Sequence, residues 1–275
     1  MIRPMTVTEL ELVLDWAADE GWNPGLDDAA AFYATDPAGF LIKEVDGQPV
    51  AAISVVNHDP DYAFLGLYIC KPAFRGQGHG IDVWRAGLSH ASGRCIGLDG
   101  VPDQQANYAS AGFVMHDSSL RFEGRVAAAT DDRLRPALPT DIAQLAQLDH
   151  AACGVNRRAF ADAWFAQTPH RRTIVLTDGT DVSGFATHRR CRSGVKVGPL
   201  YARSTADAQA LLASAPFGLA RGATVVDTTG PNTALAQLLK DQNFAPRFET
   251  ARMFKGTAPE SKATKFQAIA TMELG

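Results

Sequence analysis

The residues in this chain best suited to chemistry lie together in one short stretch, Arg75-Gly76-Gln77-Gly78-His79-Gly80. Arg75 supplies a fixed positive charge. The alternating glycines leave main-chain N–H groups open to a ligand, because no Cβ holds an anion away. The stretch follows an apolar run, Phe64-Leu65-Gly66-Leu67-Tyr68-Ile69-Cys70, that reads as a buried strand. It precedes Ile81, Trp84, Leu88 and Ala91, which recur three and four residues apart as one face of a helix does. A strand that turns through glycines into a helix N-terminus points several N–H groups, and the positive end of the helix dipole, at one place. A phosphate or diphosphate suits that place. A plain tight turn has the same composition, so the loop alone leaves both readings open. Two common phosphate loops are excluded. No Gly-Lys-Ser/Thr follows, and Gly-x-Gly-x-Gly differs from the dinucleotide spacing.

Composition bounds what such a loop could serve. At 275 residues, 46% apolar and 20% charged, the chain is long enough for two globular domains. No run approaches the ~18 apolar residues that cross a bilayer. Met1-Ile2-Arg3-Pro4 leads into an acidic helix, so no secretory or transit signal is read. Cys70, Cys95, Cys153 and Cys191 lack metal-type spacing and imply no disulfide framework, so a reducing cytoplasm is expected and no metal site. The basic cluster Arg189, Arg190, Arg192 and Lys196 lacks aromatic interleaving in an acidic chain. It is expected to be a solvated or anion-contacting face, and no nucleic-acid partner is expected. Residues 1–130 carry 8 Lys/Arg against 17 Asp/Glu, whereas the remainder carries 18 against 13. Opposite signs favour docking of the second half on the first, and two solvated surfaces of differing composition would read the same.

The sequence repeats at an offset of about 132 residues. Arg3-Pro4 with Glu9 returns as Arg135-Pro136 with Asp141, Asp46-Gly47 as Asp178-Gly179, and Gly112-Phe113 with Arg121 as Asn243-Phe244 with Arg252. Two copies of one domain are expected, spanning 1–126 and 133–275. In the first, Thr6 and Glu9 form a capping box ahead of a helix with Leu10, Val13, Leu14 and Ala17 on one face. A helix at Asp27–Tyr33 and strands at Phe40–Val45 and Val50–Val56, joined at Asp46-Gly47, come next. Then come the central strand, the glycine loop, the long helix, a strand at Cys95–Asp99, a helix around Tyr108 and two closing strands. The second copy repeats this outline with helices near Asp141–Ala152, Arg157–Gln167, Ala206–Ala213 and Thr233–Asp241. The tail Phe266–Leu274 alternates like one more strand closing a sheet edge. This mixed order argues the α/β (α+β) class, each copy a mixed sheet with helices on both faces.

The copies differ where it matters. After its central strand the second reads Gly198-Pro199-Leu200-Tyr201-Ala202-Arg203-Ser204, without a glycine cradle, and Leu239 stands where the first copy has Tyr108. Cys70-Lys71-Pro72-Ala73-Phe74-Arg75-Gly76-Gln77-Gly78-His79-Gly80, together with Tyr108-Ala109-Ser110-Ala111-Gly112-Phe113, resembles the acetyl-CoA signature and the following Tyr-x-x-x-Gly-Phe of the GNAT N-acetyltransferases, with Cys70 in place of the usual valine. Glu20-Gly21-Trp22-Asn23-Pro24-Gly25, Ile96–Val101 and Lys196–Ala202 look like markers of a tandem-GNAT group in which an active first lobe precedes a degenerate second one.

That resemblance implies that each lobe is a mixed, mostly antiparallel twisted sheet flanked by helices. With it comes the expectation of acetyl transfer from acetyl-CoA to a primary amine, by direct attack, in the first lobe. It implies that Arg75, Gly76, Gln77, Gly78, His79, Gly80 and Ile81 hold the diphosphate. The strand edge at Ile69, Cys70 and Lys71 would pair with the pantetheine arm and stabilise the thioester oxygen. Tyr108 would act as general acid toward the leaving thiolate. Cys70 reads as a small packed residue rather than a covalent nucleophile. Relatives often carry a base on the central strand, but Phe64–Cys70 has no carboxylate. Glu20, Asp19, His58, His116 and a water chain are the candidates. Asp19, Glu20 and Trp22 together could form an acidic, aromatic wall for a cationic acceptor. A small-molecule amine is the expected partner. The alternatives are a non-enzymatic acyl-CoA sensor or scaffold, which the missing carboxylate favours and Tyr108 opposes, and a tandem acyltransferase with a different acyl donor.

Overall fold

A computed structural model describes residues 1–217, 222–230, 233–261 and 266–275. The first half runs β1 (Ile2–Pro4), α1 (Val7–Asp19), α2 (Asp28–Thr35), β2 (Phe40–Val45), β3 (Gln48–Asn57), β4 (Tyr62–Cys70), α3 (His79–Ala91), β5 (Cys95–Gly100), α4 (Gln105–Ser110) and β6 (Val114–Gly124). The second repeats that order as β7 (Leu134–Pro136), α5 (Ile142–Cys153), α6 (Arg158–Trp164), β8 (Arg171–Asp178), β9 (Asp181–Arg190), β10 (Val195–Ala202), α7 (Thr205–Ala213), β11 (Thr224–Thr229), α8 (Ala234–Asp241) and β12 (Ala245–Lys255). One further strand, β13 (Phe266–Ala268), follows.

Local chemistry explains why the repeated residues recur. The Thr6 hydroxyl accepts from the Glu9 N–H at 3.3 Å, and Glu9 Oε2 accepts from the Thr6 N–H at 2.8 Å, which closes the capping box of α1. Arg3 grips the same carboxylate, as Arg135 grips Asp141 ahead of α5. Pro4 and Pro136 lie in β1 and β7, the outermost strands of the sheet, where a missing N–H breaks no ladder. Asp46 and Gly47 both have positive φ, as a two-residue hairpin of the primed type requires.

Among the described residues, thirteen strands form one sheet in the order β1-β2-β3-β4-β5-β12-β6-β11-β13-β10-β9-β8-β7. The halves exchange strands. β12, from the second half, lies antiparallel between β5 and β6 of the first, while β6 pairs antiparallel with β11 of the second. The expectation of two closing strands within the first copy is therefore corrected: only β6 follows α4 before the second half begins, and β12 takes the place beside β5. The tail also differs from expectation. It forms a short strand at 266–268 inside the sheet, between β10 and β11, rather than closing an edge.

The repeated arginines bind the exchanged strands. Arg121 on β6 makes a bidentate pair with Asp227 on β11 at 2.7 and 2.8 Å, and Arg252 on β12 does the same with Asp99 on β5 at 2.8 and 2.7 Å. One apolar core serves both halves, because Leu10, Phe32 and Leu67 pack in the same cluster as Phe160, Trp164 and Phe185. Phe32 stacks on Trp164 at 5.8 Å. The basic cluster is not one solvated face. Arg189 and Lys196 are buried, with Arg189 paired to Asp28 at 2.5 Å and Lys196 donating to the Trp22 carbonyl at 2.8 Å. Their charges are spent joining the halves. Among the described residues, no helix is long and apolar enough to cross a membrane.

Candidate active site

β4 and β5 run parallel and pair only from Tyr62↔Cys95 to Leu65↔Leu98. Beyond Leu65, β4 stays paired with β3 but leaves β5, so a wedge opens in the middle of the sheet. β4 bends here: its register with β3 shifts between Ala52 and Ser54, and Leu67 adopts a φ of 45°. A bulge of this kind turns main-chain groups out of the ladder toward the gap. Ile69, Cys70 and Lys71 continue the open edge, where the Lys71 N–H is held by the Val50 carbonyl at 2.9 Å. The Cys70 thiol is pushed up by burial, against the pull of Arg75 and Lys43, so it stays protonated. A reactive thiolate would need the reverse.

The chain then turns through Pro72–Phe74 into the glycine loop and α3. Gly76 and Gly78 have φ of 75° and 84°, and a Cβ on either would meet nothing within 4 Å. Glycine is required there by the backbone, and the loop faces open space. Gly78 is the N-cap of α3 and offers no side-chain cap, so the first-turn N–H groups are left for a ligand. Arg75 Nε donates to the Cys70 carbonyl at 2.9 Å, and its other end meets Glu20 at 2.5 Å. Gln77 donates back to the Ala73 carbonyl at 3.1 Å, the His79 ring packs near Phe74, and Ile81 is exposed beside the loop.

Tyr108 lies on α4, its ring stacked on Trp84 at 5.6 Å and edge-on to Phe113 at 6.3 Å. Burial, with a smaller contribution from Tyr68, raises its phenol well above the ordinary value. The phenol therefore holds its proton until a stronger base forms beside it. Tyr108 lines a cavity of about 80 Å³ at the wedge, together with Leu65–Tyr68, Leu98, Asp99, Val101, Gln104, Trp22, Arg121, Phe248, Thr250, Met272 and Glu273. The structure thus brings Trp22 and Tyr108 to one cavity. Asp19 and Glu20, at the end of α1, are not among its lining residues, and Glu20 faces the loop through Arg75. His58 and His116 line a different cavity, of about 210 Å³, between the halves. Among the described residues, no cluster could hold a metal ion.

Of the residues that sequence reading missed, four come from the second half: Phe248 and Thr250 on β12, and Met272 and Glu273 on the segment after β13. One signal was available. Gly66 interrupts an apolar strand, and an interior glycine often marks the close approach of another backbone. Here the Glu273 carbonyl is that neighbour, since a Cβ on Gly66 would lie 2.1 Å from it.

The corresponding places in the second half are filled. β10 and β11 pair in parallel from Val195↔Thr224 to Val197↔Val226 and then part, but β13 enters the gap and bonds to both. The N-terminus of α7 is capped by Ser204, which accepts from the Asp207 N–H at 3.1 Å, and the Asp207 carboxylate lies against that hydroxyl at 2.7 Å. A phosphate would meet a satisfied helix end and a like charge.

A parallel pair that splits beside a glycine-cradled helix end, with the same element order repeated in a second lobe, is the layout of a tandem acyltransferase of the GNAT family. The chain belongs to the GNAT acetyltransferases: the model of the acetyltransferase (GNAT) family matches residues 8–113, and that of an acetyltransferase (GNAT) domain matches residues 145–267. It is 33% identical over 276 residues to holothin acyltransferase of Pseudoalteromonas sp. (strain SANK 73390), covering 99% of this chain and 94% of that protein. In fold it is similar to a putative acetyltransferase from Pyrococcus horikoshii, with a TM-score of 0.82 at 20% identity over 100% of this chain and 95% of that one. It is also similar to a tandem GNAT protein from the clavulanic acid biosynthesis pathway, with a TM-score of 0.63 at 13% identity over 95% and 99%.

Proposed function

We propose that this acyltransferase moves an acetyl group from acetyl-CoA to the primary amine of a small molecule, and that it does so in the first lobe alone. The asymmetry between the lobes carries this reading. One wedge is open and leads to an uncapped helix end, whereas the other is filled by β13 and its helix end is capped by Ser204. The groups in the first lobe suit the cosubstrate, since Gly76 and Gly78 leave space that a Cβ would enter. When bound, acetyl-CoA supplies an acyl group activated as a thioester.

The chain's own residues do the rest. Main-chain N–H groups of Gly76–Ile81, with Arg75, hold the diphosphate, for which Arg75 exchanges its partner Glu20. The open edge at Ile69–Lys71 orients the pantetheine arm, and the bulged edge at Leu67 donates to the acyl oxygen, since the Lys71 N–H is held by the Val50 carbonyl. The acceptor nitrogen bonds to the acyl carbon as the C–S bond breaks; the Tyr108 hydroxyl gives its proton to the departing sulfur, and the proton shed by the nitrogen restores the phenol. Buried aromatic rings around Tyr108 keep bulk water from competing with the acceptor. The name of the holothin relative supports a small-molecule acceptor over a macromolecular one. Four free cysteines fit a cytoplasmic protein.

Calorimetry with coenzyme A tests the assignment. One site per chain is expected, weakened by Arg75→Ala and insensitive to Ser204→Ala. Two sites, or a site lost with Ser204→Ala, would refute it. Release of free thiol on addition of an amine panel then separates an enzyme from a sensor.

A further inference from the structure

The cavity at the wedge passes through the sheet. Leu65 packs with Trp84 and Tyr108 on one face, so Gly66, its neighbour along β4, points to the other. On that other face stand Trp22, Met272 and Glu273. Tyr108 and Glu273 therefore line one cavity from opposite faces of the sheet. From this placement we infer that Glu273 and Thr250, delivered by the second lobe, form the polar end of the acceptor site, and that the acceptor is a compact primary amine on an aromatic or short apolar body. The inference rests on the acyl-transfer reading above and names the acceptor class for the same site.

Four observations support it. Glu273 is 4% exposed, and a carboxylate is rarely buried unless it is paired. Burial pushes its carboxyl up, but Lys196 and Arg189, the Thr271 hydroxyl bond and Arg121 outweigh this and keep it an anion. Two of these cations are paired with other carboxylates, while the third, Lys196, donates to a neutral carbonyl and remains the counter-ion of Glu273. Arg121 binds Asp227, Arg189 binds Asp28, and Lys196 donates to the Trp22 carbonyl. Second, the Thr250 hydroxyl, 2% exposed, has no hydrogen-bond partner within the protein although it lines this cavity. A buried hydroxyl without a partner is costly, and an entering N–H donor would satisfy it. Third, the walls are Trp22, Tyr68 and Phe248, surfaces for a flat or apolar body beside a cation. Fourth, the enclosed part of the cavity is about 80 Å³, which favours a compact acceptor over an extended peptide or polyamine.

The test uses the full chain with coenzyme A present, benzylamine as the probe and benzyl alcohol as its uncharged counterpart. Calorimetry of the wild type should show benzylamine binding. Glu273→Gln should weaken benzylamine by about tenfold or more, the size expected for a charge-assisted hydrogen bond. It should leave benzyl alcohol and coenzyme A within about twofold. Thr250→Val should weaken benzylamine by about threefold without lowering the melting temperature, because its hydroxyl has no partner to lose. That variant also carries the test if Glu273→Gln does not fold. Equal benzylamine binding by wild type and Glu273→Gln overturns the inference, as does a wild type that binds coenzyme A but not benzylamine, or a Thr250→Val variant with unchanged binding. Failure to bind coenzyme A would instead overturn the acyl-transfer reading.

Discussion

Gly66→Ala is a one-carbon change whose cost can be worked from the geometry. Gly66 has an ordinary extended backbone, so alanine is not excluded by φ. The obstacle is space. The new Cβ would lie 2.1 Å from the Glu273 carbonyl oxygen, 2.9 Å from its carbon and 3.1 Å from its Cα. Ordinary contact needs about 3.4 Å, so the two backbones must part by roughly 1 Å, and cores resist such overpacking at ~1–3 kcal/mol. The tail cannot slip freely. Leu274 O accepts from His58 at 2.8 Å, Ala270 O from Arg189 at 3.1 Å and Gly275 O from Arg157, while the Ile269 N–H donates to Asp227 O at 2.8 Å. Losing one of these adds about 1 kcal/mol. We expect a loss of about 2–3 kcal/mol, read as a urea midpoint lower by roughly 1 M. The acceptor KM should rise several-fold while the coenzyme A affinity holds, because the glycine loop is not displaced. A variant with wild-type midpoint and wild-type acceptor kinetics would refute the packing of the 270–274 segment over β4 and everything built on it.

Three further outcomes are expected. Tyr108→Phe should lower kcat by about 10²–10⁴ with coenzyme A affinity unchanged, measured by thiol release and calorimetry, since only a proton donor is removed. Gly78→Ala forces a side chain into φ 84° and should cost about 1–2 kcal/mol of stability and weaken coenzyme A, whereas Gly194→Ala in the second lobe should cost stability alone; paired denaturation and calorimetry check this. Buried His58 and His188 are pushed down to about 4, by desolvation first, so both stay neutral in the fold. The unfolded chain then binds more protons between about pH 6.5 and 4, and stability should fall on acidification through that window by up to about 1.4 kcal/mol per pH unit for each histidine. Denaturation midpoints at pH 7 and 5 measure this, and His188→Gln should flatten the dependence.

Much of the first lobe was legible because its signals are local. Thr6 and Glu9, Asp46-Gly47 and the glycine loop each fix a backbone conformation within a few residues, and the 132-residue repeat reported two copies. The repeated arginines were visible as a pattern, yet their purpose was not, because Arg121 and Arg252 pair with aspartates on the other half's strands. Arg189 and Lys196 read as a solvated face for the same reason: a charge run looks alike whether water or a partner strand covers it. Likewise, a missing carboxylate in Phe64–Cys70 says nothing of one supplied across the sheet, so Glu273 could not be found from spacing. Trp22 was found as an aromatic near the site, whereas Glu20 beside it belongs to the loop through Arg75.

The trading of strands between the halves has a consequence for how the molecule comes into being. β5 lacks its outer neighbour until β12 has been synthesised, so the row of amides and carbonyls that β12 pairs with stands beside the open wedge until then. Such distant pairings slow folding and expose an edge to wrong partners. They also tie the two copies' fates together. Deleting the second half would strip the first of the strand beside β5 and of Phe248, Thr250, Met272 and Glu273 along its open wedge.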